Sequence, residues 1–381
     1  MTKTKISLLK CTSYDTKEVF LAVKNSIDLL GGINSFVKPG ERILLKPNLL
    51  SAKEPERHIT THPEVVRALI KLVKSAGATP VLGDSPGGAI KGVSRVWEKT
   101  GMLKLAKEEN VELINFETAG SFIRDINHPL IKSVHISKAV LNCDGIINIP
   151  KLKTHGFMIF TGCVKNFFGI VPGLRKAEYH KLAPFPDEFG QMLGEIYLFI
   201  KDKVRLNVVD GIVGMEGNGP SSGELRKMDI IAAGADAVAV DSYITELLGF
   251  KAKKIQPYEY LKKHNAGEDD VSNMEILGEG QVSRIRDFKF PSNWYINLVP
   301  KFIVRILTKF IWMKPLIVPE RCTSCMMCVE SCPVKTIIKE PGEKPEVKWD
   351  GCISCLCCHE LCPANAIELK SSYLARKLIR Q

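Results

Sequence analysis

Twelve cysteines occur in this chain of 381 residues, and nine of them lie in two runs of matching spacing, CTSCMMCVESCP at Cys322–Pro333 and CISCLCCHELCP at Cys352–Pro363. Each run reads Cys-x2-Cys-x2-Cys-x3-Cys-Pro, and the two are thirty residues apart. Thiolates are soft ligands, and at this spacing they select iron-sulfur clusters, which move single electrons. Paired zinc sites or a disulfide framework are the other readings of clustered cysteine, but zinc seldom takes three cysteines two residues apart followed by Cys-Pro. Aligning the runs puts Cys358 opposite Cys328 and Cys357 opposite Met327, so Cys358 reads as the ligand and Cys357 as its neighbour. Cys11, Cys143 and Cys163 have no ligand spacing and read as small buried hydrophobes; Cys163, inside a Lys- and His-rich stretch, is the one candidate nucleophile among them.

The tandem runs resemble bacterial-type two-cluster ferredoxins. That resemblance implies two [4Fe-4S] clusters whose fourth ligands cross over. Cluster one would use Cys322, Cys325, Cys328 and Cys362, and cluster two Cys352, Cys355, Cys358 and Cys332.

Upstream, the residues able to do chemistry are mostly cations. In KLKTH an extended backbone would put Lys151, Lys153 and His155 on one face. Lys165 and Asn166 follow, and GLRKAEYHK adds Arg175, Lys176 and His180. Such a concentration of positive charge is either a solvated basic loop or a site for a phosphate- or carboxylate-bearing ligand. His155 and His180 are the candidates for proton transfer, because imidazole titrates nearest neutral pH. Lys46 and Asn48 in KPNLL, and Asp84 and Ser85 in GDSPGG, are candidate ligand contacts. Asp210 and Glu216, in DGIVGMEGNGP, could hold a ribose, a metal or a proton, although turn chemistry alone would account for the glycines. Neither GxGxxG nor GxxxxGK[ST] occurs, so no dinucleotide or P-loop site is supported.

The elements that position these residues alternate along the chain. Strand-like runs near Lys5, Arg42, Thr79, Val111, Gly145, Val204 and Met228 are interspersed with helical periodicity over Thr16–Leu30, Pro63–Ser75, Asp187–Lys201 and Ala235–Leu248. This is an α/β layout, a mostly parallel sheet with flanking helices, followed by a small α+β two-cluster ferredoxin-like domain. The polar and glycine-rich segments fall at the carboxyl ends of the strands, where such sheets bind ligands.

KPNLL, THPEVV, GDSPGG, PKLKTHGF, TGCVKNFFGIVPG and DGIVGMEGNGP, in that order, resemble the domain of unknown function 362 family over about residues 1–290. Members are often fused to a ferredoxin module, and the resemblance assigns no catalytic residue. The expected boundaries are therefore 1–290 for the α/β domain, 291–317 for an amphipathic connector, 318–370 for the cluster module and 371–381 for a basic tail. In the connector, Lys301, Arg305 and Lys309 make a basic stripe opposite an apolar face, which excludes a spanning helix and suits packing on the protein, or docking at a membrane surface or an acidic partner.

Charge is unevenly spread. Residues 318–370 hold six Lys or Arg against eight Asp or Glu, so the module is −2 within a chain of +11, and the rest carries +13. A basic face could steer an anionic substrate or an acidic redox partner such as a ferredoxin, whereas nucleic acid draws on net charge alone. Reduced thiolates, with no apolar signal segment or membrane-spanning run, point to the cytoplasm. The function expected is electron transfer through two clusters to or from an anionic small molecule, as a ferredoxin-dependent oxidoreductase of unknown substrate. The alternative is a non-catalytic carrier or assembly partner that binds an acidic protein.

Overall fold

Apolar runs bounded by turn residues become the strands of one ten-stranded sheet in the computed structural model, which describes residues 3–87, 92–173, 175–183, 185–252, 255–278, 285–291 and 313–372. The first half contains β1 (Thr4–Lys10), α1 (Thr16–Leu29), β2 (Arg42–Pro47), α2 (Pro63–Ser75), β3 (Thr79–Asp84), α3 (Val93–Lys99), α4 (Met102–Glu108), β4 (Glu112–Asn115), a hairpin β5 (Ser121–Asp125) and β6 (Ser133–Ser137), and α5 (Lys138–Leu141). Next come β7 (Gly145–Ile149), β8 (Lys151–His155), β9 (Ile159–Thr161), α6 (Cys163–Asn166), α7 (Arg175–Leu182) and α8 (Pro186–Ile200). The domain is completed by β10 (Val204–Glu216), β11 (Glu224–Gly234), α9 (Ala237–Leu247), α10 (Tyr258–Lys263) and β12 (Met274–Gly278).

The main order is β12-β1-β11-β10-β7-β2-β3-β4, with β8 paired to β10 and β9 paired to β8. From β10 to β4 every pairing is parallel, while β11 runs antiparallel to both β10 and β1. The run at Met228 thus joins the sheet as the return arm of a hairpin. Because the chain moves from β2 out to β3 and β4 and then returns to β7 on the other side of β2, the strand order reverses at β2, where such sheets open a crevice at their carboxyl ends.

Strands covered on both faces read as continuous apolar runs. In β2, Ile43 and Leu45 face Val66 and Leu69 of α2, whereas Leu44 belongs to the opposite layer with Leu193 and Ile196 of α8 and Ile244 of α9. Helix starts follow local chemistry. The Asp15 carboxylate accepts from Lys17 N at 2.9 Å and Glu18 N at 3.0 Å to cap α1, and Pro63 opens α2, where a missing N–H costs nothing.

The cluster module is built from β13 (Met313–Ile317), α11 (Met327–Ser331), β14 (Ile337–Ile338), β15 (Glu346–Val347), α12 (Cys357–Leu361) and β16 (Ile367–Ser371). β13 pairs antiparallel with β16, so residues 313–317, at the end of the expected connector, belong to this module's sheet. The rest of the connector from 292 on, with its basic stripe, and the tail from 373 lie outside the described residues.

Candidate functional site

The two cysteine runs fold alike. Ser324 and Ser354, Met326 and Leu356, and Lys335 and Asn365 form pairs thirty residues apart, and all six adopt left-handed backbone, φ from 49° to 67°. Non-glycine residues are uncommon there, and their recurrence at equivalent positions shows a loop conformation held for the ligands it carries. Cys322, Cys325, Cys328 and Cys362 line one cavity with Ile317 and Pro345. Cys358, buried in the second run, lies within electrostatic reach of Cys352, Cys355 and Cys332, the set expected with it, and of Cys328. Backbone N–H groups donate to the crossing sulfurs in both halves, from Thr336 to Cys332 Sγ at 3.3 Å and from Ala366 to Cys362 Sγ at 3.2 Å. The donor set, its symmetry and its N–H···S bonds fit two [4Fe-4S] clusters, and the protein carries two. No disulfide joins any of the twelve cysteines.

The module sits over the carboxyl ends of the sheet strands. At Gly156, just after β8, an added Cβ would lie 3.3 Å from the Leu356 side chain. Lys53 of the α/β domain donates through Nζ to the Pro363 carbonyl, one residue past the Cys362 ligand. Sequence reasoning had no handle on Lys53, because its partner lies about three hundred residues away.

Between the two domains lies a cavity of ≈ 110 Å³. From the α/β domain it is lined by Asn48, Asp84, Ser85, His155, Lys165, Asn166, Lys176 and His180, and from the cluster module by Ser331, Cys357 and Leu361. Eight of the residues singled out from the sequence therefore meet in one place. Thr161, Phe168 and Leu50 also line it; they fall in segments quoted for the resemblance but, being a small hydroxyl and apolar residues, were not singled out as contacts.

The walls are tightly organised. Lys46 Nζ in β2 donates to Asp84 Oδ1 at 2.7 Å, with both side chains buried, and Asp84 Oδ2 accepts from Leu49 N at 2.9 Å. Gly169 crosses directly above this pair: a Cβ there would lie 2.1 Å from Asp84 Oδ1, so only glycine fits. Behind it runs a chain of amides, from the half-buried Asn48 Nδ2 to Asn166 Oδ1 at 2.9 Å, Asn166 Nδ2 to Asn148 Oδ1 at 2.8 Å, and Asn148 Nδ2 to Asn207 Oδ1 at 2.9 Å. Asn148 and Asn207, unsuspected from sequence, tie the cavity floor to β7 and β10. Lys176 Nζ donates to the Ser85 carbonyl at 2.6 Å and to Ser85 Oγ, and burial pulls this ammonium down to about 8 despite Glu117 and Asp84 nearby.

Both histidines are held neutral. Burial, with Lys165 adding to it, lowers His155 well below its ordinary value and His180 to about 3. His155 Nδ1 accepts from Phe157 N and Met158 N, each at 3.1 Å, which places its proton on Nε2. His180 stacks on Phe189 with ring centroids 4.2 Å apart.

Other expected contacts are placed elsewhere. Lys153 follows the face expected of it but donates to Asn48 Oδ1 and Ile59 O, both at 2.7 Å, behind the cavity. Lys151 pairs with Asp210 at 2.9 Å and donates to Tyr14 Oη at 2.7 Å; the same Asp210 accepts from Tyr14 Oη and His62 N, so it is closed within a separate buried network. Glu216 is engaged by Arg226 at 2.7 Å. Cys163 is fully buried, with its thiol raised well above the ordinary range by burial and by Asp241, which fits packing and not nucleophilic attack. Among the described residues no helix is long and apolar enough to cross a membrane.

Comparison with known proteins finds two matches along the chain. Residues 43–246 match the model of the family described as domain of unknown function (DUF362), and residues 314–363 match a 4Fe-4S dicluster domain. The thylakoid-associated protein sll1697 of Synechocystis sp. is 40% identical over 248 residues, covering 64% of this chain and 74% of that protein. Two solved structures are more distant. The lactate racemase apoprotein of Thermoanaerobacterium thermosaccharolyticum is 13% identical with a TM-score of 0.37 and covers 62% of this chain. A Thermotoga maritima protein is 12% identical with a TM-score of 0.38 and covers 54% of it. The chain spans about half the length of each, 55% and 52%. The extended family match and the paired cysteine runs lead to one conclusion: the chain belongs to the DUF362 family and carries a 4Fe-4S dicluster domain after it.

Proposed function

We propose that this iron-sulfur protein is a ferredoxin-type oxidoreductase, in which electrons loaded by an external carrier protein reach a small anionic molecule bound in the cavity between the two domains. The observation that carries the reading is the shared wall. Cys357, adjacent in sequence to the cluster-two ligand Cys358, lines the same cavity as Lys165, Lys176, His155 and His180. Each [4Fe-4S] cluster takes up or gives one electron, so a pair suits a two-electron change in the bound molecule.

The chain's own residues supply the rest. Lys165 and Lys176 attract and hold the anion, in a site where partial exclusion of water strengthens every charge interaction. His155 keeps its proton on Nε2, and being neutral it adds no charge. The Lys46–Asp84 pair is internally balanced, so it braces the wall without competing for the ligand. A reducing compartment such as the cytoplasm suits the thiolate ligands.

The test is reoxidation of the dithionite-reduced holoprotein under anaerobic conditions, mixed with a panel of short carboxylates and phosphates and followed by cluster absorbance. At least one member should restore the oxidised spectrum, and a Lys165→Met/Lys176→Met double variant should slow it. If no member does so, and denatured protein releases no small anion, the non-catalytic carrier reading takes its place.

A further inference from the structure

One strand stands open where its neighbour is closed. β5, with the sequence SFIRD, pairs with β6 alone, and Phe122, Ile123, Arg124 and Asp125 are all exposed. Its hydrogen bonds fix which way the rest of its backbone points. Lys138 N donates to the Gly120 carbonyl and Ile126 N to the Lys132 carbonyl, each at 3.0 Å, and Ile123 lies opposite His135. Antiparallel pairs alternate between bonded and non-bonded, so residues 120, 122, 124 and 126 bond to β6. The N–H and C=O groups of Ser121, Ile123 and Asp125 therefore point the other way, where no described strand pairs with them. On the far side of the hairpin the equivalent edge is covered: His135 N donates to Tyr179 Oη of α7 at 2.9 Å.

An open edge bearing exposed apolar side chains is a template for the addition of another strand. Ile123 is 57% exposed and Phe122 41%. The fold also holds this edge in place, because Phe122 stacks on Phe199 of α8 with ring centroids 5.9 Å apart, and Arg124 Cζ lies 5.2 Å from the centre of the same ring.

The strand is complementary to itself. Antiparallel pairing about a two-fold axis at Ile123 sets Ile123 against Ile123, Ser121 against Asp125 and Phe122 against Arg124 of the other copy. A hydroxyl then donates to a carboxylate, a guanidinium meets an aromatic ring as it already does at Phe199, and no like charges stand directly opposite. Sliding the register by two residues one way opposes Arg124 to Arg124, and the other way sets Arg124 and Asp125 against Gly120 and Ala119. A lipid surface would leave both the Asp125 carboxylate and the outward backbone groups without partners.

We propose that β5 pairs with β5 of a second copy of this chain, joining two hairpins into a four-stranded sheet and making the protein a symmetric dimer. None of the five residues of β5 lines the cavity, so the dimer and the anion site stand or fall separately.

The test is sedimentation equilibrium of the anaerobic, iron-loaded protein. The seam is short and the dimer correspondingly weak, so the mass should approach twice 42.3 kDa at high concentration and return to a single chain on dilution. Ile123→Lys opposes two ammonium groups across the seam. Ile123→Pro removes an N–H that points away from β6 and so costs the hairpin no hydrogen bond. Both variants should stay single chains at every concentration, with iron content and circular dichroism unchanged, while Ile123→Val should associate like wild type. Wild type at single-chain mass throughout, or Lys and Pro variants that dimerise as well as wild type, would overturn the proposal. So would single-chain protein that pellets with phosphatidylcholine vesicles and loses this in Ile123→Lys, which would assign the edge to a membrane.

Discussion

Lys176 is held at a cost that the proposed anion binding would explain, and removing the charge should reveal both. Burial moves this ammonium from 10.5 to about 8, which corresponds to about 3 kcal/mol of folding free energy given up to keep it protonated at neutral pH. The sign follows from proton binding. The folded protein holds this proton less tightly than the unfolded chain, so the penalty is full below pH 8 and is relieved as pH rises from 8 towards 10.5. Methionine has a similar length and no charge. Lys176→Met therefore recovers the penalty but leaves Ser85 O and Oγ without this donor, losses of about 1 kcal/mol each, for a net gain on the order of 1 kcal/mol. The assay is anaerobic denaturant unfolding of the iron-loaded protein between pH 7 and 10.5. Wild type should gain stability relative to the variant as pH passes 8, while the variant loses anion binding. In wild type, anion affinity should fall about tenfold per pH unit above 8, as the ammonium deprotonates. A variant less stable than wild type at pH 7, with anion affinity unchanged, would refute the claim that this lysine is kept charged for a ligand.

Replacing Lys53 by methionine should lower the reduction potential of cluster one by several tens of millivolts, on the order of 1 kcal/mol, because a cation near Cys325 and Cys362 favours the more negative reduced state; redox titration followed by electron paramagnetic resonance measures it, and an unchanged potential would contradict it. Cys325→Ser and Cys355→Ser should each remove one cluster, read as loss of about half the iron and visible absorbance by quantitation of the purified variants. Asp241 accepts from Cys163 N, Val164 N and Tyr258 Oη, and burial raises its carboxyl to about 6. The fold thus binds this proton more tightly than the unfolded chain, so Asp241 makes stability decline as pH rises from 3.8 to 6, and Asp241→Asn should flatten that component in paired unfolding curves.

The parts legible in the sequence were those with a local code. Cysteine spacing specified the ligand runs, and apolar periodicity gave Pro63–Ser75 as a helix to the residue. Placement of polar loops after strands led to the mouth of the sheet, where Lys165, Lys176, His155 and His180 meet. Which charges are closed off by partners was not legible, because that depends on pairing across the fold. Lys46 and Lys151 read from sequence as cations for a ligand, yet each is closed by a buried carboxylate from a distant strand. Thr161, Asn148 and Asn207 are uncharged residues in ordinary strands, and only the meeting of β7, β9 and β10 gives them a role. The return of β11 against β10 was hidden for a similar reason: a buried strand's composition is the same whichever way it runs.

The account turns on electrical contact between the cavity and the nearer cluster. Electron paramagnetic resonance of the fully reduced holoprotein, recorded with and without saturating acetate as a short carboxylate too inert to be reduced, tests it most directly. The account predicts a shift in the cluster-two spectrum that leaves cluster one unchanged and that Lys165→Met abolishes; superimposable spectra, with acetate binding verified independently, would contradict it.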